Sequence, residues 1–178
     1  MTTASAKSAW KHWIQAGIII LVLTLLDQVS KHLVLTYLKG ENDISLIPGV
    51  LQLRYIENRG MAFGLFEGKI PVFVILCLLF FCLFVYVYAR IPRTRYYLPL
   101  AVTSVIMVSG ALGNFIDRVF RGYVVDFFYF RLIDFPIFNV ADIYVTVTMI
   151  LLLILILFYY KEEDLEFLSR KGKHGRDN

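Results

Sequence analysis

The residues best placed to do chemistry are two aspartates in apolar surroundings. Asp126 lies in Val124-Val125-Asp126-Phe127, and Asp142 closes Phe138-Asn139-Val140-Ala141-Asp142. Two carboxylates held close in an apolar site cannot both ionise easily, so one proton is shared. The ionised member then takes a proton from water while the protonated member polarises a carbonyl. That combination hydrolyses a peptide bond without a metal ion or a covalent nucleophile. Read singly, the two residues point different ways. A solvated loop does not need a carboxylate embedded in valine and phenylalanine. Asp142 alone is better explained as a helix-start acid, with Asn139 as N-cap and the helix dipole favouring the charge.

Other chemistries find little support. His12, His32 and His174 lie outside this cluster, and neither HExxH nor a Cys/His ligand spacing occurs. The sequence offers no metal site and implies no cofactor. It contains no nucleophile elbow, Ser-Lys arrangement, P-loop or dinucleotide glycine pattern. No basic, aromatic-interleaved patch suggests nucleic acid. Cys77 and Cys82 share one apolar segment and read as small apolar residues.

The elements that must position the aspartates follow from composition. Of 178 residues, 58% are hydrophobic and 18% charged, against about 25% charged in a soluble domain. So much apolar surface needs the bilayer as solvent. Four stretches reach the roughly 20 apolar residues of a crossing helix: about 14–37, 71–89, 97–116 and 143–160. The first holds Asp27 and Lys31 and has no small-x-small cleavage site after it, so it reads as an uncleaved span. The expected fold is an all-α membrane protein, a single domain over 1–178, with a small extracytoplasmic β-rich element. Lys7, Lys11, Arg90, Arg93, Arg95 and Lys161 flank the same side of the four spans. The positive-inside rule makes that side cytoplasmic. Segments 38–69 and 117–142 are then extracytoplasmic, and 161–178 is a cytoplasmic tail expected to continue the last helix and fray.

Within 38–69, Leu51, Leu53 and Tyr55 alternate with Gln52 and Arg54, the period of a half-buried strand. Turn chemistry brackets it, at Pro48-Gly49 and at Asn58-Arg59-Gly60. The aromatic, β-branched run from Val124 suits a sheet at the interface.

Charge inside a membrane costs roughly 2.5–3.5 kcal/mol per residue and marks function by default. Asp27 and Lys31 are four apart and pair on one helix face; an internal ion pair is the simplest role for them. Gly110, Asn114 and Arg118 line one stripe, and Ser109 with Gly113 permits close helix packing. Asn114 bonding a neighbouring helix and Arg118 meeting lipid phosphate is the plainer alternative. Asp117 and Asp134 read as ordinary interface charges.

Five blocks together resemble the lipoprotein signal peptidase (type II signal peptidase) family: DQVSK at Asp27–Lys31, NRGMAF at Asn58–Phe63, GALGNFIDR at Gly110–Arg118, VVDF at Val124–Phe127 and FNVAD at Phe138–Asp142. The resemblance implies an aspartyl peptidase of the bacterial cytoplasmic membrane. It would remove signal peptides from prolipoproteins, cutting before a cysteine that carries diacylglyceryl. It implies Asp126 and Asp142 as the catalytic pair. Asn58, Gly60, Asn114, Arg118 and Asn139 are implied to shape the site or hold substrate backbone, and Asp27 and Lys31 to be structural. It further implies membrane lipids as partners and cyclic peptide antibiotics as inhibitors. From the residues alone, a small transporter or proton-relay protein is the rival, although transport sites usually lie mid-membrane between repeats. A non-enzymatic assembly protein is a second rival.

Overall fold

The computed structural model describes residues 3–60 and 70–168. Four helices carry the fold: α1 (Thr3–Tyr37), α2 (Ile70–Arg90), α3 (Leu98–Phe120) and α4 (Val140–Ile154). Each contains a stretch long and apolar enough to cross a membrane: Trp10–Tyr37, Pro71–Arg90, Leu98–Phe120 and Val140–Tyr159. The chain is a multi-pass membrane protein, as its composition requires. Pro71 and Pro99 sit in the first turns of α2 and α3, where a missing backbone N–H leaves no hydrogen bond unmade.

α3 is the inner helix. Within its most apolar window 44% of residues are buried, against 11% in α2 and in α4, which leaves those two facing lipid. α3 packs mainly on α4 and α1. The approach is close because α3 is small where they meet. A Cβ on Gly110 would lie 2.5 Å from the Ala141 carbonyl of α4, and one on Gly113 would strike the Asp27 carboxylate of α1. Ser109, fully buried, accepts the Thr24 hydroxyl on its carbonyl at 3.2 Å. Small residues here do what they do in membrane bundles generally, letting backbones meet.

At one end of the bundle lies a three-stranded antiparallel sheet, β1 (Ile44–Ile47), β2 (Leu51–Asn58) and β3 (Val124–Phe130), in that order. Gly49, with φ +74°, makes the β1–β2 turn in the left-handed region that glycine tolerates. β2 is the central strand, which explains why Gln52 is buried although alternation places it outward. Leu53 and Tyr55 pack with Val125 and Phe127 against Val34 and Leu38, seating the sheet on the end of α1. The β2–β3 register slips between Leu53 and Ile56, a bulge that brings Ile56 opposite Asp126.

Two boundaries differ from the sequence expectation. α3 runs to Phe120, one turn past the apolar run, so Asp117 lies on the helix together with Arg118, as the stripe with Asn114 expects of Arg118. α4 starts at Val140 with Asn139 as its cap, as the reading of Asp142 as a helix-start acid expects. The chain beyond α4 does not continue as a simple helix. Leu155–Tyr159 is a π-helical turn, Tyr160 is extended, and Glu162–Leu168 is a 3-10 helix. Aromatic packing enforces the break. Tyr160 is buried and stacks on Tyr97 at 5.5 Å, while Asp164 accepts the Tyr96 hydroxyl at 2.8 Å. Residues 61–69, which include part of the NRGMAF block, and 169–178, most of the expected tail, lie outside the described residues.

Candidate active site

Asp126 and Asp142 reach the site from different elements, and a short zipper fixes their separation. The Phe127 and Phe128 amides donate to the Phe138 carbonyl at 3.0 and 2.8 Å, and the Phe138 amide returns to Phe128 at 3.1 Å. Phe138 therefore extends the sheet beside β3. The next residue, Asn139, opens α4 in a capping box. Its side chain accepts from the Asp142 amide at 3.0 Å, and the Asp142 carboxylate accepts from the Asn139 amide at 3.0 Å. The capping role expected of Asp142 is thus present. It uses one carboxylate oxygen, Oδ2, and leaves Oδ1 to accept from Asn114 Nδ2 at 2.7 Å.

Asn139 also joins the two acids. Its Nδ2 donates to Asp126 Oδ1 at 2.6 Å and to Asn114 Oδ1 at 3.2 Å. Asp126 Oδ2 accepts from Asn58 Nδ2 at 2.8 Å, and the Asn58 carbonyl oxygen accepts from the Gly60 amide at 3.1 Å. Asp126 is 2% exposed, whereas Asp142 is half-buried. Burial pushes the Asp126 carboxyl up to about 6, and the charge of Asp142 pushes the same way; the Asn58 and Asn139 hydrogen bonds oppose both. The site thus holds a carboxyl whose proton is retained up to about pH 6 beside a second carboxyl group with an open flank.

Arg118 does not face lipid phosphate. One guanidinium nitrogen donates to the Gly60 carbonyl at 2.9 Å, and the plane lies 3.9 Å over the Phe73 ring. It ties the end of the β2 segment to α2 and α3. Apolar grooves flank Asp142 on both sides. One, of about 360 Å³, runs between α2, α3 and α4 past Cys77, Met107 and Met149. The other, of about 380 Å³, lies between α4 and the aromatic residues Phe130, Phe135 and Phe138.

Beneath the acids lies a charged layer with no access to water. Lys31 Nζ is 2.9 Å from Asp27 Oδ2, 3.0 Å from Asp117 Oδ2 and 3.0 Å from Asn114 Oδ1. Asp27 in turn accepts the Ala141 amide at 3.0 Å, in the first turn of α4. Asp117 also pairs with Arg121, accepts from Gln28 at 3.1 Å and receives the Val125 amide at 3.2 Å. The reading of Asp117 as an ordinary interface charge is corrected here. The extra turn of α3 rotates it inward, where it is fully buried and holds the strand that carries Asp126. Gln28 and Arg121 were missed as well. Gln28 lies inside the DQVSK block, and Asp117 is three residues from Asn114, so helical spacing contained the signal. Asp134 is exposed, and among the described residues its carboxylate accepts the Tyr129 hydroxyl alone, as an interface charge does. Among the described residues, no three His, Cys, Asp or Glu side chains group as metal ligands.

A four-helix membrane bundle with a small sheet over one end, and an asparagine-bridged aspartate pair beneath it, is the architecture of a membrane enzyme. The profile of the Signal peptidase (SPase) II family matches residues 19–158, and the chain belongs to that family of peptidases. It is similar to lipoprotein signal peptidases of Streptococcus thermophilus (44% identity, covering 74% of this chain and 85% of the relative) and Clostridioides difficile (42%, covering 80% and 94%). The Fusobacterium nucleatum lipoprotein signal peptidase is 36% identical over 82% of this chain and 87% of its own. A solved bacterial membrane enzyme superposes with a TM-score of 0.72 at 32% identity, covering 92% of this chain and 94% of that one. The transporter reading is thereby not favoured.

The charged layer makes a prediction independent of catalysis. Lys31→Met leaves Asp27 and Asp117 buried without their shared cation, and breaking such a pair costs about 3–5 kcal/mol. Thermal unfolding in detergent should fall markedly for Lys31→Met. Adding Asp117→Asn, which removes one stranded charge, should restore part of the loss. An unchanged midpoint for Lys31→Met would remove the layer from the account of stability.

Proposed function

We propose that this peptidase is an aspartyl endopeptidase that uses Asp126 and Asp142 to remove the signal peptide from diacylglyceryl-modified prolipoproteins, cutting just before the lipidated cysteine. The carrying observation is the convergence of two carboxylates on one asparagine, Asn139, with only one of them fully buried. Asp126, whose proton affinity is raised, donates to the scissile carbonyl oxygen. Asp142 takes a proton from the attacking water. The resulting tetrahedral intermediate collapses as the amine leaves with a proton. Asn58, Asn114 and Asn139 keep the acids aimed, and Arg118 with Gly60 anchors the chain that borders them.

The setting suits such a substrate. A diacylglyceryl cysteine keeps its acyl chains in the membrane and places the bond near the interface. The apolar grooves on both sides of Asp142 offer a bed for the hydrophobic signal segment and for acyl chains. Phe130, at the end of β3, walls one of them. Peptide antibiotics that imitate the substrate would occupy the same ground as inhibitors. We read 1–178 as one membrane domain of the bacterial cytoplasmic membrane. Arg90, Arg93 and Arg95 in the short α2–α3 link face the cytoplasm, as do both termini, and the sheet and the aspartates lie at the extracytoplasmic surface.

Three outcomes are expected. Asp126→Asn and Asp142→Asn should each fold and insert yet cut a lipidated precursor at no measurable rate, while the parent cuts it and spares the unlipidated form; normal cleavage by a well-folded Asp126→Asn protein would sink the pair. In the parent, kcat/KM should decline on the alkaline side as the Asp126 proton is lost, with an apparent pKa near 6 in the free enzyme. Asn58→Ala removes a hydrogen bond that favours the ionised form, so that limb should move to higher pH; a limb that stays put or moves down contradicts the assignment. Reporter fusions after Arg93 should read cytoplasmic and those after Asp43 extracytoplasmic, and the reverse pattern would overturn the orientation.

A further inference from the structure

At the end of the bundle away from the aspartates, a groove of about 250 Å³ opens between the start of α1, the start of α3 and the link before α3. Its mouth is polar and basic, formed by His12, Gln15, Arg93, Thr94 and Arg95. Its floor is apolar, formed by Ala16, Ile19, Ala101, Val102 and Val105. The floor runs into the bilayer. Ile19 is seven residues from His12, and Val105 seven from Leu98, each about 10 Å deeper at 1.5 Å per residue. Ile19 and Val102 are 39% and 41% exposed, so the trough is open sideways to lipid. Among the described residues, no carboxylate lines it. Asp164 is held behind Tyr97, whose hydroxyl donates to the Asp164 carbonyl, and its side chain is engaged by Tyr96 and the Lys161 amide.

The two arginines differ. Arg93 donates to the Tyr88 carbonyl at 2.8 Å and stacks 4.5 Å over the Tyr88 ring, so it is held by the fold. Arg95 is exposed, and its guanidinium has no hydrogen-bond or ion-pair partner among the described residues. Orientation in the membrane requires positive charge in this link but no groove beside it.

We propose that this groove binds one anionic phospholipid, its phosphate at Arg95, Arg93 and His12 and an acyl chain along the Ala16–Val105 floor. The basic mouth supplies charge complementarity to the headgroup. The apolar floor, useless to a free anion, selects a lipid. In the orientation given above this is the cytoplasmic leaflet, where anionic lipid is attracted by basic residues at about 1 kcal/mol per Lys or Arg, a factor of about five. The site requires only that α1 and α3 cross the bilayer, and it is unaffected if the peptide chemistry is assigned wrongly.

Both tryptophans of the chain, Trp10 and Trp13, lie on α1 next to the mouth, and Trp13 packs edge-on against Tyr88, a groove residue, at 4.9 Å. Their fluorescence is therefore a local reporter. The full chain is reconstituted in phosphatidylcholine vesicles that carry increasing fractions of acyl-brominated phosphatidylglycerol, and in parallel of brominated phosphatidylcholine. Phosphatidylglycerol should quench at the lower fraction. Arg95→Gln should raise its half-quenching fraction about fivefold with unchanged thermal unfolding, and Lys161→Gln, at the same end but outside the groove, should leave it unchanged. Equal curves for the two headgroups, or a preference that survives Arg95→Gln, overturn the site. An equal loss in Lys161→Gln shows diffuse surface attraction instead and also overturns it. Displacement of the lipid by millimolar inorganic phosphate overturns the lipid assignment in favour of a free anion.

Discussion

A lysine ammonium sealed from water holds two aspartates that belong to different helices, and the geometry of the whole site hangs from it. Lys31 and Asp27 come from α1, Asp117 and Asn114 from α3. Apolar helices have little reason to prefer one another over lipid, so packing contacts and polar links decide their register. Here the link does more than join. By occupying Asn114 Oδ1, Lys31 orients that amide so that its NH2 faces Asp142. Asp27, paired with Lys31, also holds the first turn of α4 through the Ala141 amide. Asp117 does the same for the start of β3 through the Val125 amide. One cation thus fixes both arms that carry Asp126 and Asp142, the acids of the proposed pair.

Glycine makes this possible. A side chain at Gly113 would displace Asp27, and one at Gly110 would push α4 outward through Ala141. Close approach of α3 to both neighbours is therefore a condition of the charged layer and not only a packing convenience. The sheet supplies the remaining constraint. The zipper between β3 and Phe138 sets where Asn139 begins α4, so the helix cap and the bridge between the aspartates are the same residue. A capping acid and a catalytic acid need not compete for Asp142, because its two oxygens face different partners.

Much of this was legible in the sequence, for identifiable reasons. Span number follows from apolar run length, β2 from period-two alternation between turn residues, and β3 from a β-branched, aromatic run, since these signals are local; β1 carries no such signal. The buried setting of Asp126 was legible because a carboxylate among valine and phenylalanine conflicts with its neighbours. Asp117 was not, because its meaning depends on one more turn of α3 than the apolar run predicts. The inward turn of Arg118 was hidden too: its partner, the Gly60 carbonyl, is 58 residues away and carries no side-chain signature. The break at Tyr160 depends on ring stacking across helices, which no local pattern encodes. The substrate was never in the pattern of charges at all, and came only with the family likeness.

The price of the arrangement falls on Asp126. Its carboxyl binds a proton more tightly folded, with a pKa of about 6, than at the ordinary 3.8. A carboxyl raised in this way favours folding at acid pH, and the contribution is lost as pH rises through about 6. Above that the ionised form opposes folding by about 3 kcal/mol, at 1.36 kcal/mol per unit. The Asn58 and Asn139 donors limit this penalty, but they do not abolish it. A structure selected for stability alone would place an apolar residue there. An acid there, in a layer where Lys31 and its partners already supply the cross-links, fits the proposed role of Asp126 as proton donor, for which a scaffold tolerates one unfavourable charge.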